Sequence, residues 1–254
     1  NTTVSYNNYL FDINAYTSNQ YALGNDETFT NRYSSDYRSG INDWHYQIDF
    51  DYNPSPVHHV KFGAGYIYHR FRPEVMTSKI SDRTDDQTYR DTTYHNMNNS
   101  RIYAHEVSAY AEDNLKISSR LRLNLGLHFS LFHVQKQSYF SLQPRISARY
   151  QLTDDITLKA SYTKMSQYVH LLSSMPIAMP TDLWVPVTKE IKPMQSHQYS
   201  LGGYYTGIKG WEFSVEGYYK DMRNVLEYKD GVSFFGSSTG WENKVEIGKG
   251  RSVG

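Results

Sequence analysis

The chain has 254 residues, a balanced charge of 26 Lys and Arg against 26 Asp and Glu, and a mean hydropathy of −0.68. Balanced charge gives no general attraction for nucleic acid, and the absence of cysteine excludes disulfide scaffolds, Cys-ligated metals and thiol catalysis. No stretch approaches the ~20 apolar residues of a membrane-spanning helix, whereas a membrane-spanning β-strand needs only every second residue to be apolar.

Hydrophobicity with a period of two recurs along the chain and predicts an all-β fold. In segment 120–133 the odd positions from 121 to 131 are apolar, while even positions from 120 to 130 carry polar residues or glycine. Successive side chains of a strand point to opposite faces, so this segment has one apolar and one polar face. The apolar row consists of Leu121, Leu123, Leu125, Leu127, Phe129 and Leu131. Ten strands are predicted in chain order, at 3–16, 44–52, 59–71, 102–116, 120–133, 142–152, 156–168, 198–207, 210–221 and 243–254.

Short and long connections alternate between these strands. The short ones are at 53–58, 117–119, 153–155 and 208–209. The long ones are at 17–43, 72–101, 169–197 and 222–242, with a shorter loop at 134–141. This alternation, together with strands of about 9–11 residues or more, is typical of an antiparallel outer-membrane barrel with short periplasmic turns and long extracellular loops.

The two strand faces then meet different surroundings. The apolar row is expected to face lipid, and the charged face, with residues such as Glu112, Arg145 and Lys159, is expected to line the lumen. Aromatic residues near strand ends are expected to form belts at the two membrane interfaces. They are Trp44, Tyr66 and Tyr68 beside the long loops, and Tyr205 and Trp211 beside a short turn.

Catalytic and cofactor motifs do not emerge from the sequence. It contains no His-Glu-x-x-His, Gly-x-Ser-x-Gly, phosphate-loop or dinucleotide pattern, and its ten histidines lack metal-ligand spacing. We therefore predict no enzyme, no cofactor and no metal site. A surface protease that uses Asp36, Asp43, His69 and His170 at the barrel rim remains an alternative.

Several segments resemble the barrel of TonB-dependent outer-membrane receptors. They are 143–152, which reads Gln-Pro-Arg-Ile-Ser-Ala-Arg-Tyr-Gln-Leu, then 158–172, 180–186, 191–193, 198–202, 217–222 and 248–252. The resemblance is good over 100–254 and looser before it, and the order and spacing of the segments make it specific.

The resemblance implies a roughly 22-stranded barrel with a plugged lumen, in the outer membrane of a Gram-negative cell. It implies uptake of a scarce nutrient, energised by an inner-membrane TonB complex that acts through a plug domain. We expect residues 1–254 to form part of one such barrel domain, without the plug and the closing strands, so that the first and last strands do not pair. The implied partners are outer-membrane lipid, the TonB complex and a small nutrient ligand such as a siderophore, vitamin, glycan or peptide.

Two other interpretations stay open at this point. The chain forms a self-contained ten-strand porin, adhesin or protease, or it is a soluble all-β carbohydrate-binding module. For the receptor interpretation, the candidate extracellular ligand contacts are Trp184, Trp241 and His170. The competing explanation is that Trp184, between Leu183 and Val185, packs its own loop onto the rim.

Overall fold

Ten antiparallel strands, hydrogen-bonded in the order in which they occur along the chain, form one open sheet in the computed structural model. The structure describes residues 1–24, 27–84, 87–95, 101–172, 183–231 and 240–254. The sheet strands are β1 (Thr2–Gly24), β2 (Glu27–Ser55), β3 (His58–Thr84), β5 (Ile102–Lys116), β6 (Leu121–Val134), β7 (Gln137–Gln151), β8 (Ile156–Gln167), β11 (Met194–Tyr205), β12 (Phe213–Tyr228) and β13 (Val245–Val253).

Three further strands lie off this path. β4 (Thr88–His95) pairs with the distal part of β3, and β9 (Val169–Leu172) pairs with β10 (Leu183–Pro186) in a separate two-stranded sheet. A 3₁₀-helix at Trp241–Lys244 precedes β13. Within the described residues there is no helix with the length and apolar character needed to traverse a bilayer.

The described part of the sheet does not close on itself. β1 pairs with β2 and β13 pairs with β12, and no ladder joins β1 to β13 among the described residues. The prediction of ten antiparallel strands that leave two free edges is therefore confirmed. The sheet is a partial barrel, and the self-contained closed barrel is not what this chain forms.

The predicted loops at 17–43 and 72–101 are largely wrong, because strands run through them. β1, β2 and β3 contain 23, 29 and 27 residues, and the β1–β2 ladder continues beyond the pair of Tyr16 with Ser34. Both faces of this extension carry polar residues, so the alternation that identified the other strands is absent there. A strand that meets water on both faces has no reason to alternate apolar and polar residues.

The predicted loop at 134–141 is also wrong. β6 ends at Val134 and β7 begins at Gln137, so only Gln135 and Lys136 connect them. Both residues have left-handed backbone angles, with φ of 47° and 68°, as a two-residue hairpin turn of type I′ requires. Asn-Gly is the usual signal for this turn, and Gln-Lys does not give it.

The other two predicted loops contain regular structure as well. Segment 169–197 includes β9, β10 and the first residues of β11, and β12 extends through 222–242 as far as Tyr228. Residues 173–182 and 232–239 of these loops lie outside the described residues. β12 begins at Phe213, so Trp211 precedes the strand in which it was predicted.

The short turns predicted at 53–58, 117–119 and 153–155 are confirmed, whereas the fourth, predicted at 208–209, is longer, since β11 ends at Tyr205 and β12 begins at Phe213. The three confirmed turns share one device. A Ser or Thr hydroxyl accepts hydrogen bonds from backbone N–H groups two or three residues later. Ser118 Oγ accepts from Leu121 N at 3.0 Å, and Thr153 Oγ1 accepts from Ile156 N at 3.0 Å. Such side-chain caps satisfy backbone donors that the strand ladder leaves free, and so stabilise tight turns.

Burial separates the sheet into two faces. We call the side that carries Ser130 and Phe132 the inner face, because both residues are buried there against other segments. The opposite side is the outer face, on which Leu125, Leu127 and Phe129 are exposed. The apolar row of β6 thus points outward, as predicted.

Aromatic rings on the outer face contact one another between neighbouring strands. Trp44 lies 4.6 Å from Tyr6, and Tyr68 stacks on Tyr103 at 6.2 Å, measured between ring centroids. At the opposite ends of the strands, the rings of Trp211 and Phe213 stack at 5.9 Å. Both groups lie where membrane interfaces would meet the strands, consistent with the predicted belts.

Substitution of Leu125 by Arg tests which face meets lipid. The variant is expected to destabilise the folded protein by ~2–4 kcal/mol, because it places a charge at mid-strand on the lipid side. The measurement is reversible unfolding of the full-length protein in lipid vesicles. Asn124→Arg, on the inner face, is the matched control and should change the free energy of unfolding far less. Equal costs for the two variants would contradict the assignment.

Candidate functional site

The inner face forms a polar wall along the middle of the sheet. Tyr110 donates a hydrogen bond to Asp49 Oδ1 at 2.8 Å, and Gln47 donates to the same carboxylate at 2.7 Å. Lys159 lies 3.8 Å above the ring centre of Tyr204. A hydrogen-bonded surface with charges of both signs suits contact with water or polar molecules, as expected for a barrel lumen.

A histidine ends this wall toward the extracellular side. His69 Nδ1 lies 2.8 Å from Asp43 Oδ1, while Nε2 faces Glu106 Oε2 at 3.5 Å. The His69 ring also stacks on Phe71 at 5.6 Å and lies 5.7 Å from Phe132. His69 therefore joins the polar wall to an apolar cluster.

That cluster closes the inner face at the extracellular ends of the strands. Phe71, Phe132 and Val134 are fully buried there. They pack beneath residues 168–172 and 183–191, which we call the inward segment because they cover the inner face. Its buried apolar residues are Tyr168, Leu172, Leu183, Val185, Val187 and Ile191.

Specific contacts hold the inward segment in place. The Tyr168 ring stacks on Phe132 at 5.0 Å, and its hydroxyl lies 2.7 Å from Ser130 Oγ. Val187 N donates to Tyr168 O at 2.8 Å, and the Tyr139 hydroxyl donates to Thr188 O. Hydrogen bonds thus join the two parts of the inward segment to each other, and hydrogen bonds and ring stacking join it to the strands beneath it.

The inward segment also spans the concavity of the sheet. β10 packs against β2 and β3, whereas β9 contacts β12 near the other edge. Ile41 from β2 and Val245 from β13 belong to the same apolar cluster. Strands from distant parts of the sheet therefore curve around one shared core.

The structure brings the three predicted ligand contacts to this core. The Trp184 ring is partly exposed and meets the Tyr9 ring edge-on at 6.3 Å. Trp241 is only 6% exposed, and His170 is only 5% exposed. All three therefore pack the segment onto the barrel wall, and Trp184 alone of the three keeps substantial accessible surface. A ligand contact by any of them stays a prediction.

Phe132 and His69 matter to this site; the sequence named His69 only for the protease alternative, and Phe132 was not predicted as a site residue. Phe132 occupies an even position of β6, on the face that is otherwise polar, and Val134 follows it on the same face. The change from polar to apolar residues on this face marks where the polar wall ends and the apolar core begins. The change is visible in the sequence.

In the part of the chain that the structure describes, no set of three His, Asp or Glu side chains is arranged to hold a metal ion. Of the residues named for a protease, Asp43 and His69 contact each other, while Asp36 is exposed on the outer face.

The burial of His170 makes the inward segment sensitive to pH. Burial lowers the pKa of His170 to about 4, from an ordinary value of 6.5, and Nε2 has no hydrogen-bond partner among the described residues. His170 in the unpacked segment binds a proton below about pH 6.5, whereas His170 in the packed segment binds one only near pH 4. The free energy that stabilises the packed segment is therefore greatest above pH 6.5. It should fall by up to ~3 kcal/mol as the pH falls toward 4.

Hydrogen exchange of residues 183–191, corrected for intrinsic rates, measures this effect. Protection should fall between pH 6.5 and pH 4 in the natural protein. The His170→Phe variant, which carries no titrating group at this position, should keep constant protection across the same range. The same pH dependence in both proteins would contradict the role of His170.

Comparison with solved structures identifies similar folds. The FrpB iron transporter from Neisseria meningitidis, F3-3 variant, has a TM-score of 0.51 at 11% identity, over 87% of this chain and 37% of FrpB. The apoprotein of the F5-1 variant of FrpB has a TM-score of 0.52 at 11% identity, over 86% of this chain and 38% of FrpB. The ferric yersiniabactin uptake receptor FyuA from Yersinia pestis has a TM-score of 0.48 at 14% identity, over 85% of this chain and 36% of FyuA. The chain thus spans little more than a third of these structures.

A search of curated proteins found no match. The family model described as "TonB dependent receptor-like, beta-barrel" matches residues 1–254, which is the whole chain. This match agrees with the open antiparallel sheet, its apolar outer face and its polar inner face. The chain belongs to the TonB-dependent receptor family and forms part of its β-barrel.

Proposed function

We propose that this chain is part of an outer-membrane receptor that takes up a scarce nutrient with energy from the TonB complex. The observation that carries the proposal is the pairing of a polar inner wall with an apolar segment folded over its extracellular end. A wall of this kind suits the passage of a polar solute, and the segment above it narrows the entrance. The family to which the chain belongs supports the same function.

The coupling partners belong to the proposal as well. In this account a plug domain fills the lumen and contacts the inner-membrane TonB complex, and lipid surrounds the outer face. The exposed polar groups of the inner wall, such as Arg149 and Glu216, offer sites for contact with a plug. The nutrient is a siderophore, vitamin, glycan or peptide, and the iron transporter FrpB among the similar folds makes an iron complex the first probe.

We further propose that Trp184 contacts the ligand directly. Its ring is partly exposed at the edge of the core, beside Tyr9, and faces the inner side of the sheet. A large rigid ring buries much area on binding at little entropic cost. His170 is buried within the inward segment and Trp241 is buried in the same apolar cluster, so both support this position.

Uptake by cells that express the full-length protein tests the function. Four labelled probes cover the proposed classes: an iron-loaded catecholate siderophore, cyanocobalamin, a short oligosaccharide and a short peptide. At least one probe should accumulate in energised cells and fail to do so after addition of a protonophore or deletion of the TonB complex. Accumulation of none of them, or accumulation independent of energy, would contradict the proposal.

Tryptophan variants test the contact residue with the probe that accumulates. Trp184→Ala should weaken its binding about tenfold, because loss of a central aromatic contact commonly costs more than 1 kcal/mol. Trp211→Ala is the matched control, since it removes an exposed tryptophan from a short turn at the opposite end of the sheet. Surface expression is measured for each variant. Equal affinity of Trp184→Ala and the natural protein would remove Trp184 from the site.

A further inference from the structure

Four arginines lie together on the outer face, on β2, on β3 and just before β5, at the level where β5 begins. Across the β2–β3 ladder, Asn42 is opposite Arg70 and Gly40 is opposite Arg72. Arg70 is in turn opposite Tyr103, so Arg101, two residues before Tyr103, falls beside Arg72. Arg38 lies two residues before Gly40, on the same face of β2. We call Arg38, Arg70, Arg72 and Arg101 the arginine patch.

The positive charge of the patch is poorly balanced. Asp12 accepts hydrogen bonds from Arg38 Nε and Nη2, at 2.9 Å and 2.5 Å. Among the side chains that the structure describes, which exclude those of residues 74–76, no carboxylate lies within ion-pair distance of Arg70, Arg72 or Arg101. Arg70 donates instead to the neutral Asn42 Oδ1, at 3.3 Å and 3.2 Å.

Arg72 has the least favourable surroundings of the four. Its Nε is buried without a hydrogen-bond partner. Burial and the positive charges of Arg101, Arg70 and Arg38 lower the pKa of Arg72. Like charges on adjacent strands destabilise a sheet. This arrangement therefore has a cost in the isolated protein that a bound anion would offset.

A small cavity of about 240 Å³ opens between β1 and the patch, lined by Asn8, Leu10, Gly40, Asn42, Arg70 and Arg72. At Gly40 the two strands approach closely. A Cβ at this position would lie 2.5 Å from Tyr9 O and 3.4 Å from the Leu10 side chain, so β1 leaves no room for a side chain here. The cavity lies beside this close contact, on the side of Arg70 and Arg72.

The position of the arginine patch along the strands indicates which part of the membrane it meets. Arg70 follows Tyr68 by two residues, or about 7 Å along the strand. Tyr68 belongs to the outward aromatic row with Trp44 and Tyr103. Aromatic rows of this kind mark the membrane interface, so the patch lies just beyond it, where lipid headgroups are found.

We propose that the arginine patch binds a phosphate group of a lipid headgroup in the outer leaflet, with the acyl chains against the aromatic row below. This inference rests on the outer-membrane location in the proposed function. Arginine suits the role, because its planar guanidinium binds phosphate through two parallel hydrogen bonds. Arg70, Arg72 and Arg101 supply the donors, and Asn42 orients Arg70.

Native mass spectrometry of the full-length protein, purified in mild detergent, tests the proposal with bisphosphorylated lipid A as the probe. The natural protein should retain this lipid. Retention should fall about fivefold for each arginine removed, and it is measured for the single variant Arg101→Gln and for the double variant Arg70→Gln/Arg72→Gln. Arg120→Gln removes the same charge from an exposed turn at the opposite end of the sheet, and should leave retention unchanged. Arg101 precedes β5, so its substitution leaves the strand ladders intact.

Two further arms separate the sources of phosphate. Dephosphorylated lipid A should be retained weakly by every variant, and inorganic phosphate alone should bind no more tightly to the natural protein than to the double variant. Equal retention of phosphorylated lipid by the natural protein and the arginine variants would overturn the proposal. Arginine-dependent binding of inorganic phosphate without lipid binding would overturn it too, in favour of a free-anion site.

The assay contains no nutrient and no energy source. Failure of energised uptake with intact, arginine-dependent lipid retention would therefore overturn the transport proposal and leave the lipid site standing. Normal uptake without arginine-dependent lipid retention would overturn the lipid site alone.

Discussion

Backbone hydrogen bonding is the constraint on which the structure depends. A chain that crosses a lipid bilayer as strands must pair every backbone N–H and C=O with a neighbouring strand. Here each strand of the sheet pairs with the next sheet strand along the chain, in antiparallel ladders. The same pairing fixes which side chains face outward and which inward, because a shift by one residue would exchange the two faces.

Two surfaces of different chemistry follow from this pairing. The outer face carries the leucine row of β6 and the aromatic rows, and at its upper border the arginine patch. The inner face carries hydrogen-bonded polar groups until Phe71 and Phe132, where the inward segment covers it. The functional features of the molecule thus lie at the extracellular ends of the strands, on both faces. The short turns at the other ends are held by local hydroxyl caps.

The sequence predicted those strand segments whose two faces meet different surroundings. The row from Leu121 to Leu131 identified both the strand and its lipid-facing side. The extension of β1 beyond Tyr16 was missed, because both of its faces are polar and the ladder with β2 alone maintains it. The turn at Gln135 and Lys136 was missed because its left-handed backbone has no usual residue signal. Trp184, Trp241 and His170 were predicted as ligand contacts, and the core that gathers them was not predicted, because it depends on contacts between distant strands.

Accessibility along β6 tests the assignment of the two faces most directly. The chain has no cysteine, so a single spin-labelled cysteine can be placed at each position from 121 to 131 in the full-length protein in lipid vesicles. Odd positions should be accessible to oxygen, which concentrates in lipid, and even positions to a water-soluble nickel complex, with a period of two throughout. Equal accessibility at odd and even positions, or the opposite parity, would contradict the account.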